Sequence, residues 1–308
     1  IAANDVARPV GSVTYTAMLT RSGGVRCDLT IVRSDENHFI VMTGGSTGAY
    51  DLAWIKANLS LSHARQRFDV QVKDVTEDLC CIGLWGPRSR EILSAITAED
   101  VSNSALPYLS VRNVRVDDIS VLAVRISYVG ETGWELYCPS EHGFRFWDIV
   151  WSAGREVGAV VAGTTAQDTL RLEKGYRLWG ADIHTEYNPI QAGLGFAVDM
   201  DKGDFMGREA LVKIMSEGVQ HHLRCMTLDD PSRVVTGKEP IWMEGEVRGY
   251  VTSAGYGHSI GRGIALGYLP ATGSGPGSEV EIEYFGEKLP ATIQAIPLFD
   301  PTNSRLRG

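Results

Sequence analysis

Residues 15–28 read YTAMLTRSGGVRCD and run on as LTIVRSDENHFIVMTGG to Gly45. The pattern is strand, glycine turn, strand, polar turn, strand. Gly23 and Gly24 offer the positive-φ positions that a tight hairpin turn needs. Leu29, Ile31, Phe39, Ile40 and Val41 continue a β-rich pattern around the SDEN turn. Asp28 is the odd residue, because a carboxylate at the start of an apolar strand has no packing use there. Taken alone it reads as a turn-edge aspartate that accepts backbone N–H bonds. The remainder of the chain must decide whether it does more.

With 308 residues, the chain can form one large domain or two to three smaller ones. Its 44% hydrophobic content supplies a core, and its net charge of −9 argues against nonspecific binding to nucleic acid or anionic lipid. Neither nucleic acid nor a membrane is therefore an expected partner, and no apolar run reaches the roughly 18 residues of a spanning helix. The opening IAANDVARPV lacks both an initial Met and a signal-peptide pattern, so the expectation is a processed or truncated start. Five scattered cysteines point to reduced thiols in a cytoplasmic-type compartment.

Beyond the hairpin, TGAYDLAWIKANL spaces Leu52, Ile55 and Leu59 as one helical face. Residues 70–84 read as strand, and Pro87 suits the first turn of a helix through Ile96. Residues 111–138 read as a β-meander. Ser140 is placed to cap a helix whose apolar face would be Phe144, Trp147, Ile149, Val150 and Trp151. Further helices follow Gly163 and end at Gly218. After about residue 220, short strands between glycine-rich turns predict a small antiparallel barrel or sandwich. The fold class is α+β, with a mixed body over 1–200, a helical connector over 201–219 and a β-rich module over 220–308.

Several chemical patterns fail. His221, His222 and Cys225 lack a fourth ligand. Asp199, Asp201 and Asp204 imitate a calcium loop, but Ala210 stands where the bidentate Glu is needed. No GxSxG or strand-linked GxGxxG occurs. What remains is carboxylates and aromatics beside glycine turns. Tyr128 and Glu135 bracket YVGETGWE, and if Tyr128 ends one strand and Glu135 lies on the next, one mouth of the sheet holds both. A glutamate there can accept two N–H bonds from an amidine-like edge, and a tyrosine can pack on a flat heterocycle. Equally, Tyr128 is an ordinary half-buried sheet residue and Glu135 a solvent-facing one, and Glu131 is not distinguished from Glu135. Glu173, Lys174, Tyr176 and Trp179 fall at a helix end, read as a surface ion pair with Gly175 kinking or ending the helix.

Taken in order, VTYTAMLTRSGGVRCDLTIVR, GLWGPRSREIL, SYVGETGWELYCP, QDTLRLEKGYRLWGADIHTEYNPIQAGLGFAV and FMGREAL resemble the folate-binding aminomethyltransferase family of the glycine cleavage T-protein. RLEKGYRLWGADI and PLFDPTNSRLRG resemble most closely the C-terminal halves of sarcosine and dimethylglycine dehydrogenases and oxidases. The resemblance implies a multi-lobed fold around a tetrahydrofolate cavity. It implies that Asp28 is the catalytic aspartate, that Tyr15 and Tyr176 line the cavity, and that Tyr128 and Glu135 contact the pterin. It implies one-carbon transfer from an N-methyl amine-derived iminium, with FAD only on an upstream oxidoreductase module, in the cytoplasm or the mitochondrial matrix. Gln167 stands where T-protein carries an arginine, which leaves the anchor of the folate tail open. Other classes compatible with the same fold are a noncatalytic scaffold, an O- or S-demethylase and a stand-alone T-protein.

Overall fold

The computed structural model describes residues 1–63 and 70–308. In it the opening stretch is a three-stranded antiparallel sheet of β1 (Val13–Leu19), β2 (Val25–Asp35) and β3 (His38–Met42). The two turn glycines serve different needs. Gly23 has φ +86°, as the turn requires, whereas Gly24 lies outside the positive-φ region. A Cβ on Gly24 would sit 1.8 Å from the Thr185 carbonyl oxygen, so glycine is there to let the turn press against a distant loop. The Val25 N–H bonds the Tyr187 carbonyl at 2.8 Å and fixes the same contact.

One face of this sheet is closed by α1 (Gly48–His63), whose Trp54 and Ile55 pack on Met18, Cys27, Leu29 and Ile31. A buried ion pair pins the helix, with Arg26 Nη1 3.0 Å from Asp51 Oδ1. The guanidinium also lies 3.3 Å from the Tyr50 ring centroid, and Thr47 Oγ1 donates to Asp51. This arrangement satisfies both buried charges.

A second sheet has the order β4-β7-β6-β5, built from β4 (Leu79–Trp85), β5 (Val111–Val116), β6 (Ile119–Val124) and β7 (Gly133–Pro139). The expected meander is present. The strand expected from residue 70 begins only at Leu79. Val70, Val72 and Val75 find no partner strand, and Asp74 instead accepts the Thr76 N–H in a turn. α2 (Ser89–Ile96) and α3 (Gly143–Arg155) cover the outer face over Leu93, Trp134, Leu136, Phe146 and Val150. The inward face of α3 differs from expectation, since Phe144 is 93% exposed and Trp147 40%. Gly143 and Gly154 face inward instead, where a Cβ would come 3.0 Å from Cys80 Sγ and from Ala159 Cβ. Two glycines thus set a close helix approach that hydropathy alone does not register. Ser140 makes no helix cap, because its hydroxyl donates to the Glu77 carbonyl.

α4 (Thr164–Lys174) ends at Gly175, whose φ is +69°, and the Gly175 and Tyr176 N–H groups bond the Leu172 and Arg171 carbonyls. Gly175 therefore ends the helix. α5 (Arg208–Glu217) leads into a closed antiparallel barrel of β8 (His221–Leu228), β9 (Pro240–Met243), β10 (Glu246–Gly257), β11 (Arg262–Pro270), β12 (Glu279–Tyr284) and β13 (Glu287–Gln294). Met226, Ile241, Val251, Leu269, Ile282 and Ile293 form its core. The barrel is joined to α4 through a buried polar hub. Arg171 contacts Asp182 at 2.7 Å and Ser253 Oγ at 2.9 Å, and the Tyr268 hydroxyl donates to the Asp182 carbonyl. The segment 296–308 leaves the barrel and finishes as α6 (Ser304–Arg307) against the second sheet's loops. Glu173 and Lys174, expected as a surface pair, are buried. Lys174 pairs with Asp300 and Glu173 accepts the Ser259 N–H. Among the described residues no helix is long and apolar enough to cross a membrane.

Candidate functional site

β1 and the first eight residues of β2 are almost wholly buried, with three interruptions at Tyr15, Asp28 and Thr30, all half-buried. Their register explains the pattern. Tyr15 pairs with Thr30 and Ala17 with Asp28, so the three side chains share one sheet face, opposite α1. A shift of register between Met18 and Leu19, at the glycine turn, sets this alignment. The Tyr15 hydroxyl donates to Asp28 Oδ2 at 2.8 Å.

Burial raises the Asp28 carboxyl above its ordinary value, while the Tyr15 hydroxyl opposes that rise. Burial and the Asp28 charge together push the Tyr15 hydroxyl well up. Half-open side chains that are nevertheless desolvated line a recess rather than a packed core. Phe196 extends the same wall, with its ring centroid 5.9 Å from Tyr15 at an interplanar angle of 22° and its side chain 70% exposed.

The second sheet turns its uncovered face toward this one. Val13, Val32, Ile40 and Met42 from the first sheet pack with Leu122, Val124 and Tyr137 from the second. Glu135 pairs with Val124 across β6 and β7, and so lies on that facing surface with Tyr137. The Tyr137 hydroxyl donates to Glu135 Oε2 at 2.6 Å. Burial raises the Glu135 carboxyl, again against the effect of its hydrogen bond. Gly83 is opposite Glu135 on β4, and the Trp85 ring lies across it, since a Cβ there would come within 2.4 Å of that ring. A side chain at Gly83 would displace the Trp85 ring.

Tyr128 comes from the loop after β6, four residues past the strand's end, rather than from the strand itself. Its hydroxyl donates to the Arg177 carbonyl at 2.7 Å, and its ring stacks on Tyr176 at 6.0 Å and 22°. Burial raises the hydroxyls of both tyrosines. The Asp28 charge acts on Tyr128, and Tyr128 in turn acts on Tyr15. Tyr15, Asp28, Tyr128 and Tyr176 therefore form one neighbourhood. Glu135 belongs to the opposing face, and burial and Tyr137 are what act on it. Glu131 separates cleanly from Glu135, because it pairs with Arg305 at 3.1 Å.

Phe196 and Arg177 were not singled out in the sequence. Phe196 follows the glycine-rich AGLG run, and nothing local marks it. Arg177 is enclosed by carbonyls, donating from Nε to Ala192 and from Nη1 to Gly175, and burial lowers its pKa. Arg171 and Asp182, likewise, declare their importance only through contacts with the barrel. Chemically, the recess offers one carboxylate whose pKa burial raises, aromatic walls, and a second carboxylate on the opposing face.

The GCVT N-terminal domain family matches residues 1–202, and the glycine cleavage T-protein C-terminal barrel domain matches residues 221–300. The chain belongs to the glycine cleavage T-protein family. Against human mitochondrial dimethylglycine dehydrogenase, this T-protein-family chain is 37% identical over 306 residues, covering 98% of the chain and 35% of that protein. Against mouse mitochondrial sarcosine dehydrogenase it is 35% identical over 325 residues, covering 99% and 35% respectively. Against the aminomethyltransferase of Symbiobacterium thermophilum it is 32% identical, covering 99% of the chain and 81% of that protein. The chain thus spans about a third of the length of the two dehydrogenases, corresponding to their C-terminal part. The glycine cleavage system aminomethyltransferase T from Bartonella henselae shares the fold at a TM-score of 0.84 and 24% identity, over 97% of this chain and 80% of that one. The chain is accordingly an aminomethyltransferase-type domain of an enzyme family.

Proposed function

We propose that the recess between the two facing sheets binds tetrahydrofolate and that the chain transfers a one-carbon unit to it. The donor is the iminium, or derived formaldehyde, of an oxidised N-methyl amine, and the product is 5,10-methylenetetrahydrofolate. The observation that carries this reading is Asp28, a half-buried carboxylate bonded by Tyr15 through one oxygen and raised in pKa by its surroundings. The residues present fit the ligand. Glu135 offers an acceptor for the amino edge of a pterin, and Tyr15, Phe196, Tyr128 and Tyr176 offer flat walls for its rings.

Tetrahydrofolate supplies the nucleophilic nitrogens that accept the carbon. The chain's own part is electrostatic and positional. Asp28 stabilises positive charge on nitrogen as the new C–N bond forms, and its carboxylate holds the proton that must leave the attacking amine. Tyr15 fixes the orientation of that carboxylate. Enclosure strengthens the charge interaction, because few waters compete for it. The aromatic walls hold the reactants together, which removes much of the entropic barrier to reaction.

The relatives' length supports a further element of the proposal. In the full-length protein an upstream FAD-dependent module oxidises the N-methyl amine and supplies the iminium, in the cytoplasm or, in a eukaryote, the mitochondrial matrix. The organisation of the body, connector and β-rich module over 1–200, 201–219 and 220–308 is part of the same proposal.

Asp28→Asn in the full-length protein tests the central claim. Tetrahydrofolate binding, measured by titration calorimetry, is expected to stay within a few-fold of wild type, while methylene transfer falls by roughly 10²–10³. Undiminished transfer by the folded variant would refute the role given to Asp28.

A further inference from the structure

The buried Lys174 has no role in the recess, yet it sits two residues from Tyr176. Its Nζ donates to the Phe299 carbonyl at 3.2 Å and the Asp300 carbonyl at 2.9 Å, and lies 3.3 Å from Asp300 Oδ2. Both side chains of the pair are almost fully enclosed, at 1% and 4% exposure. Asp300 is a hub of its own. Its Oδ1 accepts the Ser304 N–H and hydroxyl, and its Oδ2 accepts the Arg305 and Leu306 N–H groups. These bonds wind the segment 296–308 into α6 and leave the carboxylate facing Lys174. Burial opposes ionisation of Asp300, but Ser304 and Lys174 outweigh it and hold the carboxyl down at about 2.

The same segment grips the loop that carries Tyr128. The Thr132 hydroxyl donates to the Arg305 carbonyl at 2.6 Å, and Arg305 pairs with Glu131 at 3.1 Å. The Lys174 stem runs against Gly130, where a Cβ would come within 2.8 Å of it. Gly175 packs on Ile296, with a Cβ position 3.1 Å from that side chain. Tyr176 and Tyr128, which stack on one another in the recess, thus lie one and three residues, respectively, from a contact made by this segment, at Gly175 and Glu131.

We infer that segment 296–308 is a strap that sets the spacing of the Tyr128–Tyr176 wall, and that Lys174 and Asp300 are the positioning residues that fasten it. Neither residue touches a reactant. They act by holding the Tyr128 loop and the end of α4 in one arrangement, so their loss weakens ligand affinity more than it slows the chemistry at Asp28. This inference rests on the proposed tetrahydrofolate site.

The test compares Asp300→Asn with Glu239→Gln in the full-length protein, using tetrahydrofolate as the probe. Glu239 is a comparably buried carboxylate that ties Thr236 and Gly237 in a barrel loop. Both variants are expected to lower the melting temperature. Asp300→Asn alone is expected to raise the tetrahydrofolate dissociation constant and KM about tenfold, with kcat within about threefold. Lys174→Arg, which keeps the charge, should lie nearer wild type than Lys174→Met. If Asp300→Asn does not fold, Thr132→Val removes one strap bond and is expected to give a smaller shift in the same direction. Equal dissociation constants for wild type and the folded strap variant would overturn the inference. So would an equal loss of affinity in Glu239→Gln, which would mark a general stability effect. Failure of wild type to bind tetrahydrofolate would instead overturn the folate reading on which the strap rests.

Discussion

Replacing Gly24 by alanine tests how the hairpin sets the site. The new Cβ would lie 1.8 Å from the Thr185 carbonyl oxygen and 2.7 Å from its carbon. Ordinary contact between such atoms needs about 3.2 Å, so one backbone must retreat by more than an ångström. The hydrogen bond from Val25 N–H to the Tyr187 carbonyl crosses the same gap and would stretch with it. Overpacking of about 1–3 kcal/mol and a lost buried hydrogen bond of about 1–2 kcal/mol together make about 2–5 kcal/mol. At roughly 2 °C per kcal/mol for a chain of this size, Tm should fall by about 4–10 °C. Asp28 lies four residues along the same strand, so displacement of the turn carries it too. A misplacement of about 1 Å can slow a positioned reaction by about 10²-fold. Gly23→Ala is the internal comparison. Its Cβ meets only side-chain atoms at 3.4 Å or beyond, and its cost is the positive φ of 86°, about 1–2 kcal/mol. Calorimetry and methylene-transfer rates on both variants would decide. If Gly24→Ala matched wild type in Tm and rate, the account of the turn as a fixed contact with the Thr185 loop would be wrong.

Asp28→Asn should be no less stable than wild type near neutral pH. A carboxyl with a raised folded pKa binds its proton more tightly when folded, so its ionised form disfavours folding above the unfolded value of 3.8. Stability should therefore rise as pH falls through the raised folded value toward 3.8, and thermal melts across that range should show this component vanish in the variant. Transfer that needs ionised Asp28 should decline over the same window. Tyr15→Phe removes the bond that opposes the rise, so the acid limb of its kcat/KM profile should move to higher pH. Asp51→Ala strands the buried Arg26 guanidinium and should cost about 3–5 kcal/mol by denaturant titration. Since α1 covers the face opposite the recess, ligand affinity in the folded fraction should change little.

Much of this architecture can be read locally, and what cannot has a common physical cause. The hairpin, the meander and the barrel strands follow from period-two apolar patterns broken by glycine turns. The candidate residues came from motif resemblance, since no local property separates Glu131 from Glu135. The structure separates them by strand register and by a partner 174 positions away, Arg305. The misreadings share that feature. Lys174 and Glu173 look like an exposed helix end until Asp300 and Ser259 cover them. Gly24 looks like a turn residue until Thr185 arrives against it. Phe144 looks like core until two glycines rotate α3 toward Cys80 and Ala159. In each case a long-range contact overrides a local preference, and those at Gly24, Lys174 and Glu131 fall within four residues of Asp28, Tyr176 and Tyr128. The site is where distant segments converge, so the residues that shape it are those whose local sequence says least about their position. That convergence also explains why Asp28, among the described residues, has no paired cation. Within them its carboxylate answers to Tyr15 and to enclosure rather than to an arginine or lysine, which suits it to meet positive charge supplied by a ligand.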